Sequence, residues 1–363
     1  MQLKPFAIER YFAEREFVSP HLLSASDCES LALPDLLSLA DDEARGLWDR
    51  LWLGYTESQG HPLLRSEIAA LYPGLSADDT LVAAPEEAIF VAMHALLNPG
   101  DEVIVTWPCY QSLAEIAQSL GCRMVRWPLR IENGGWALDP DELATLISPA
   151  TKLVIVNFPH NPTGYLPKQD EWTGIVRAMA ARGIALFSDE MYRWLEYDEA
   201  QTLPSACELS ENAITLGGVS KSLGLPGLRI GWLATRNCAA LRRAAEIKDY
   251  TTICSSAPSE ILALIGLRGR EWLIGRNVGI VTANLREAER YFGHRRTRFE
   301  WLPPMAGPVA FPRLLEPASA LEWADELQRN NGVMLAPGEL FDLPGHFRVG
   351  LGRRGFRDAL RAL

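Results

Sequence analysis

Of the 35 lysines and arginines in this chain only five are lysines, and one of them, Lys221, stands among glycines and small apolar residues in the stretch GGVSKSLGLPGLRIGW, Gly217 to Trp232. It follows the apolar run AITLGGV directly. A lysine at such a strand end can be a solvated loop residue. It can equally serve as an amine, because desolvation lowers its pKa from about 10.4 toward neutrality and only the neutral amine attacks a carbonyl. A phosphate loop of the GxxxxGK[ST] kind is not formed, since Ser220 precedes the lysine. Arg229 follows in the same stretch, and Arg348 lies inside the apolar run FRVGLGR. An arginine in a strand can snorkel or pair, and it can also grip a carboxylate with two parallel bonds.

Other strand ends carry groups of matching chemistry. The run LVAA leads into Pro85, Glu86 and Glu87 at the start of a helix, which is either a plain first-turn proline or a set of free amides suited to an anion. EVIVTW is followed by Pro108 and Tyr110, a ring that can be core packing or a stacking surface. KLVIVNF ends in NFPHNPTG, where Asn157 and Asn161 flank two prolines in a turn. IALFSDEMY ends in Asp189 with Tyr192 three positions on, and that carboxylate either caps the next helix or meets a positive ligand. A lysine for an imine, a buried acid, aromatic and amide groups for a flat polar ring, and arginine with helix amides for a phosphate together describe the needs of pyridoxal 5'-phosphate.

The elements that must position these groups read as α/β. Apolar, β-rich runs at LVAA, Glu102 to Trp107, Arg123 to Trp127, Lys152 to Phe158, Ile184 to Glu190, Ala213 to Val219 and Arg229 to Ala234 alternate with segments amphipathic at the helical period. That alternation predicts a mainly parallel sheet flanked by helices, with ligands gathering at the carboxyl ends of the strands. No GxGxxG follows any strand, so a dinucleotide site has no phosphate loop. Residues 1–40 read as an arm with helices over Ala7 to Phe17 and Leu31 to Ala40, and residues 41–280 as the large domain, opening with a helix over Asp41 to Leu53. Residues 281–363 form a smaller α+β unit, reached by a long helix over Trp272 to Phe292 and holding the runs FEWLPP, GPVAFPRL, GVMLAPG and HFRVGLG. The arm is expected to pack against that unit. Tyr55, between Gly54 and Gly60, falls on a loop free to reach a ligand.

A net charge of -11 argues against a nucleic-acid or anionic-membrane partner. Six cysteines without a CxxC pair argue against a zinc ribbon or disulfide framework and point to a reducing compartment, and no signal or membrane-spanning pattern opens the chain, so a cytoplasmic location is expected.

In YTESQGHPLLR, NFPHNPTG, SDEMY, SKSLGLPGLRIGW and FRVGLGR the chain resembles the fold type I pyridoxal-phosphate enzymes, in particular the class I/II aminotransferases. The resemblance implies that Lys221 forms the Schiff base with the cofactor and moves the substrate proton. It implies that Asp189 keeps the pyridine nitrogen protonated, that Tyr192 and Asn161 bond the phenolate oxygen, and that Tyr110 stacks on the ring. Arg229, Ser220 and the amides of Glu86 and Glu87 hold the phosphate, Tyr55 reaches it from a neighbouring subunit of a homodimer, and Arg348, with Asn161, binds the substrate carboxylate. The implied reaction passes an amino group between an L-amino acid and a 2-oxo acid. The alternative is a lyase, cyclase or oxidase on the same cofactor, as in enzymes resembling capreomycidine synthase. A non-enzymatic sensor is disfavoured, because regulators built on this domain carry a basic DNA-binding domain ahead of it and here the arm is short and acidic.

Two departures stand out: Ala84-Pro85-Glu86-Glu87 replaces the Gly-Ser or Gly-Ala step usual at the phosphate helix, and Gly218 replaces a hydroxyl residue three positions before the lysine. The acids of the arm, Glu16, Asp27 and Glu29, are expected to fold over the site and select a basic amino acid.

Overall fold

The computed structural model describes residues 2–316 and 319–363. Its centre is a seven-stranded sheet made of β1 (Thr80–Ala83), β2 (Glu102–Trp107), β3 (Arg123–Pro128), β4 (Thr151–Asn157), β5 (Ala185–Asp189), β6 (Ala213–Gly218) and β7 (Gly231–Ala234). The spatial order is β1-β7-β6-β5-β4-β2-β3. All neighbours run parallel except β7, which is antiparallel to β6 and β1. Apart from the half-exposed edge strand β3, the strands read as apolar runs because both faces are covered. Leu153 and Ile155 of β4 pack under the helix Pro85–Leu96, here α2, while Val154 and Val156 meet Trp172, Ile175 and Val176 of the helix Gln169–Ala181.

This order sets the chemistry-bearing strand ends side by side. Asn157 and Asp189 are register partners at the carboxyl edge of β4 and β5. Gly218, last in β6, faces Gly231, first in β7, so the tight stretch with Lys221 lies between two adjacent strands. No side chain fits at this crossing: a Cβ on Gly217 would lie 2.6 Å from the Trp232 indole, and one on Gly231 2.8 Å from the Gly217 carbonyl.

The arm helix α1 covers Ala7–Arg15. The arm then pairs His21–Leu22 in parallel with Val333–Met334 and is bonded onward by Gly350 N to Leu23 O at 2.7 Å. The expected helix over Leu31 to Ala40 shrinks to Leu33–Leu37, and that over Asp41 to Leu53 to Asp42–Asp49, capped by the Asp41 carboxylate accepting from Ala44 N at 2.8 Å. The long helix α3 (Arg270–Gly293) passes position 280 unbroken and buries Leu273, Asn277, Val281, Asn284, Ala288 and Phe292 along one face.

The C-terminal runs form much shorter strands than their apolar length suggested. FEWLPP yields only Phe299–Glu300 before Pro303 and Pro304, and Pro312 divides Val309–Ala310 from Arg313–Leu314. A proline has no N–H to continue a ladder. Phe292, Phe299, Trp323 and Phe347 interlock behind these strands, with Trp323 and Phe347 centroids 5.0 Å apart. All six cysteines are free. Among the described residues no helix is long and apolar enough to cross a membrane.

Candidate active site

The carboxyl edge of the sheet, the arm and the β strand Phe347–Gly350 enclose a cavity of 680 Å³. Lys221 enters it from the turn after β6, flanked by protein yet partly accessible to water from the cavity side. Its Nζ donates to Ser26 Oγ of the arm at 3.0 Å. Burial lowers its pKa, partly opposed by the Asp27 carboxylate and reinforced by the Arg348 guanidinium. The amine is thus shifted toward the neutral, nucleophilic form.

Asp189 closes β5 and is 6% exposed. One carboxylate oxygen accepts from Met191 N at 3.1 Å, so the capping reading holds in part, as a local turn contact with no helix following. Burial pushes its pKa up to about 7, against Met191 N–H and Lys221, which favour the ionised form. A cation placed against it would restore the carboxylate. Tyr192 is 2% exposed, and its Oη has no partner at hydrogen-bond geometry, although the Ser26 hydroxyl is near enough to stabilise the phenolate against the burial that raises its pKa.

Arg348 is 2% exposed within its strand. Its Nε and one Nη donate to Ser24 O at 3.1 and 2.9 Å, and the other Nη donates to Asn161 Oδ1 at 3.2 Å. Asn161 is fixed in turn by its own N–H, bonded to Asn157 Oδ1 at 2.7 Å, while Asn157 Nδ2 donates to Asp189 O at 2.9 Å. One chain of bonds therefore ties the arginine to the strand end that carries the acid.

At the other end of the cavity lie Ser220, Arg229, Pro85 and Glu86. Pro85 opens α2, so the first turn keeps the Glu86 and Glu87 amides without intrahelical partners. The Glu86 carboxyl is pushed up to about 7, first by burial and then by Glu9 and Asp189. Arg229 adopts a left-handed backbone, φ 56°, and its guanidinium donates to Pro226 O at 3.1 Å. The missing hydroxyl at Gly218 has a steric reason: a Cβ there would lie 2.9 Å from the Met191 sulfur, so Met191 occupies that space.

Lys221, Asp189, Tyr192, Asn161, Tyr110, Glu86, Ser220, Arg229 and Arg348 all line this one cavity. Three expected residues do not. The Glu87 carboxylate turns back to the Ala84 N–H at 3.3 Å and accepts from Thr251 Oγ1 and, at 2.7 Å, Thr252 Oγ1, so it braces the 251–252 turn. Tyr55 is 84% exposed on a separate surface hollow beside Leu53 and Cys254. Glu29 accepts from Arg354 N at 2.9 Å, away from the cavity. The Tyr110 ring stands against Phe6, with centroids 5.1 Å apart, and its Oη donates to Glu9 at 3.2 Å. Sequence reasoning missed Ser26, Glu9, Phe12 and Met191; the arm residues carry no motif and are brought here only by tertiary packing.

The cavity fits pyridoxal 5'-phosphate by its own chemistry. It offers an amine, a buried carboxyl, and at the α2 N-terminus unpaired amides beside an arginine. Two buried hydroxyls without partners, Tyr192 Oη and Ser220 Oγ, belong to residues that line it, and buried polar groups are seldom left unpaired without a ligand. A mostly parallel sheet flanked by helices with these groups at its carboxyl edge is that of a fold type I pyridoxal-phosphate enzyme. A sequence model described as aminotransferase class I and II matches residues 22–355, and the chain belongs to that family. Pyridoxal 5'-phosphate is accordingly its cofactor.

The chain is 31% identical to capreomycidine synthase of Streptomyces vinaceus over 304 residues, 81% of this chain and 75% of that protein. It is 30% identical to an arginine–pyruvate transaminase of Pseudomonas aeruginosa over 335 residues, 85% of this chain and 81% of that protein. Among solved structures, a pyridoxal-phosphate-dependent aminotransferase from Streptococcus suis superposes with a TM-score of 0.91 at 26% identity, covering 100% of this chain and 96% of that one. The pyridoxal-phosphate-dependent cyclase OrfR superposes with a TM-score of 0.90 at 29% identity, with the same coverage.

Proposed function

We propose that this enzyme transfers an amino group from an L-amino acid to a 2-oxo acid. The observation that carries the reading is the convergence of Lys221, Asp189, Tyr192, Asn161 and Arg348 on one cavity, although they come from four separate stretches of chain. Bound pyridoxal 5'-phosphate supplies an aldehyde that condenses with amines and a pyridinium ring that draws electrons from the substrate α-carbon. Lys221 would hold the cofactor through its amine and serve as the base that takes the proton from the substrate α-carbon. Asp189 holds the ring nitrogen protonated, and the ion pair removes the penalty that burial puts on its carboxylate. Tyr192 and Asn161 bond the ring's phenolate oxygen, and Tyr110 stacks on the ring, a contact worth about 0.5–1.5 kcal/mol beyond burial. Ser220, Arg229 and the Glu86 and Glu87 amides hold the phosphate at the α2 N-terminus. Arg348, with its remaining N–H groups aligned by Ser24 O and Asn161, binds the α-carboxylate.

In this reading residues 41–280 hold the cofactor, while 1–40 and 281–363 close over the substrate. Tyr55, turned outward, contributes to the phosphate site of a second subunit in a homodimer. The names of two relatives favour a second reading, cyclisation or another fate of the amino acid, since one matches a capreomycidine synthase and one structural neighbour is a cyclase.

The visible absorption of the purified protein separates these. A cofactor band lost in Lys221→Ala is expected, as is its conversion to the pyridoxamine form by an amino acid and restoration by a 2-oxo acid. A band that shifts with no need of an oxo acid, accompanied by ammonia or a cyclic product, would overturn transamination in favour of the second reading.

A further inference from the structure

We propose that the amino-acid substrate carries a second positive charge at the end of its side chain, a guanidinium or ammonium, and that Glu16, supported by Glu9, is the residue pair that selects it. The inference rests on the reading that Arg348 binds the α-carboxylate.

That this cavity takes a ligand does not depend on its acids, since two of its lining residues, Tyr192 and Ser220, carry buried hydroxyls without partners. The acids decide what kind of ligand. Five carboxyl residues line the cavity, Glu9, Glu16, Asp27, Glu86 and Asp189, against the cations Arg10, Lys221, Arg229 and Arg348. Asp189 and Glu86 lie at the sheet edge and the α2 turn, on the cofactor side. Asp27 is already matched, its two oxygens accepting from one Nη of Arg353 at 3.0 and 2.8 Å. Arg229 and Arg348 face the two anions that the cofactor and substrate bring, and Lys221 is consumed as an amine. Glu9 and Glu16 remain, neither in an ion pair among the described residues, with Arg353 and Lys221 the cations near enough to act on Glu16.

Their placement is ordered. Glu9, Phe12 and Glu16 fall at positions i, i+3 and i+7 along α1 and its C-cap, one face of the helix, and all three line the cavity. Phe12 stands under Arg348, with the guanidinium carbon 5.7 Å from the ring centroid. The stripe is centred under the carboxylate clamp, an acid to either side of an apolar ring, which matches a side chain of methylenes that leaves the clamp and ends in a cation. Glu9 has one hydrogen bond, from Tyr110 Oη at 3.2 Å. Glu16 is half-buried and no ion pair engages it among the described residues; burial, Asp27 and Glu9 raise its pKa, and Arg353 and then Lys221 oppose them. A half-desolvated carboxylate gains by accepting a cation, and a substrate with a second carboxylate would meet repulsion in the same place. Of the three arm acids expected to select substrate, then, Glu29 is outside the cavity, Asp27 is occupied by Arg353, and Glu16 is left to act.

Two unreactive acids test this on the cofactor-loaded enzyme: 5-guanidinopentanoate and hexanoate, which share the carboxylate, lack the α-amine, and differ in the terminal cation. Calorimetric titration is expected to give about 10- to 100-fold tighter binding of the guanidino acid, the range of a charge-assisted hydrogen-bonded contact. Glu16→Gln should lower that ratio by about tenfold and Glu9→Gln by a smaller factor. Equal binding of the two acids by the parent overturns the proposal without any variant, and so does a ratio that survives both substitutions. Discrimination as expected, with no amino acid able to alter the cofactor spectrum, would defeat transamination and leave this assignment standing. A spectrum that responds equally to arginine and norleucine defeats this assignment alone.

Discussion

Asp189 shows what a single buried group does for both stability and chemistry. In the fold its pKa is pushed up to about 7 by burial, and in the unfolded chain it returns to about 4. A raised carboxyl keeps its proton in the folded protein, so its favourable contribution is complete below about pH 4 and is lost as pH rises through about 7. Three units correspond to about 4 kcal/mol at most, and Glu86 and Glu260, both also pushed up to about 7 by burial, act with the same sign. Calorimetric melts of the cofactor-free protein should therefore show Tm falling between pH 5 and pH 8, and falling less in Asp189→Asn, which keeps the acceptor for Met191 N–H but cannot ionise. Identical profiles for parent and variant would contradict the assignment of that titration to Asp189. The same substitution should slow amino-group transfer by about 10²–10³-fold, as loss of one aligned electrostatic partner does elsewhere. Arg348→Lys, which cannot reproduce the planar contacts to Ser24 O and Asn161, should weaken saturation by every amino acid while leaving the cofactor spectrum intact.

The crossing of β6 and β7 sets the limits on what this site can be. Placing a hydroxyl at this position, by Gly218→Ser, should destabilise the protein by about 1–3 kcal/mol, because the new Cβ meets Met191. Gly218→Ser with Met191→Ala should recover much of that loss and bind cofactor more tightly, a pairing that thermal melts and cofactor-release rates can check; additive losses would show that Met191 is not the obstacle. This element also marks where sequence reading stops. The seven central strands were legible within a residue or two because all but the edge strand β3 are buried along most of their length and read as apolar runs, and the cavity groups at their ends followed from that. The C-terminal strands were overextended because proline cuts ladders that apolar composition alone suggests, as at Pro312. Ser26, Glu9 and Phe12 left no trace in any local pattern, since nothing in an amphipathic helix says which distant surface its face will meet. The bracing role of the Glu87 side chain was equally hidden, because it depends on Thr251 and Thr252, far along the chain.

At the scale of the whole molecule, the unexplained surface is the one around Tyr55. Trp52, Leu53, Tyr55, Tyr250 and Ile253 are 78, 80, 84, 94 and 50% exposed. Leu53 and Tyr55 adjoin Cys254 across one hollow, so the loop after the helix Asp42–Asp49 and the segment after the helix Cys238–Lys248 form a continuous apolar face. Both segments are held in shape from beneath: Lys248 Nζ donates to Ser58 O at 2.9 Å and Ile253 O at 3.0 Å, and Glu260 accepts from Thr56 Oγ1 at 3.1 Å and His61 N at 3.2 Å. Rigid exposure of five large apolar side chains is costly for a monomer and is the usual mark of an interface. The same segment braces α2, through Glu87 and Thr252, so a partner seated there would stabilise the α2 end of the cavity in each subunit. Leu53→Asp with Ile253→Asp should therefore yield monomers in sedimentation, and those monomers should lose cofactor on dialysis more readily than the parent. On the proposal that Tyr55 reaches the phosphate site of a second subunit, Tyr55→Phe should leave the dimer intact and weaken cofactor retention alone, because it removes only a hydroxyl. A monomeric parent, or a dimer indifferent to charges at positions 53 and 253, would place the interface elsewhere and remove Tyr55 from the site.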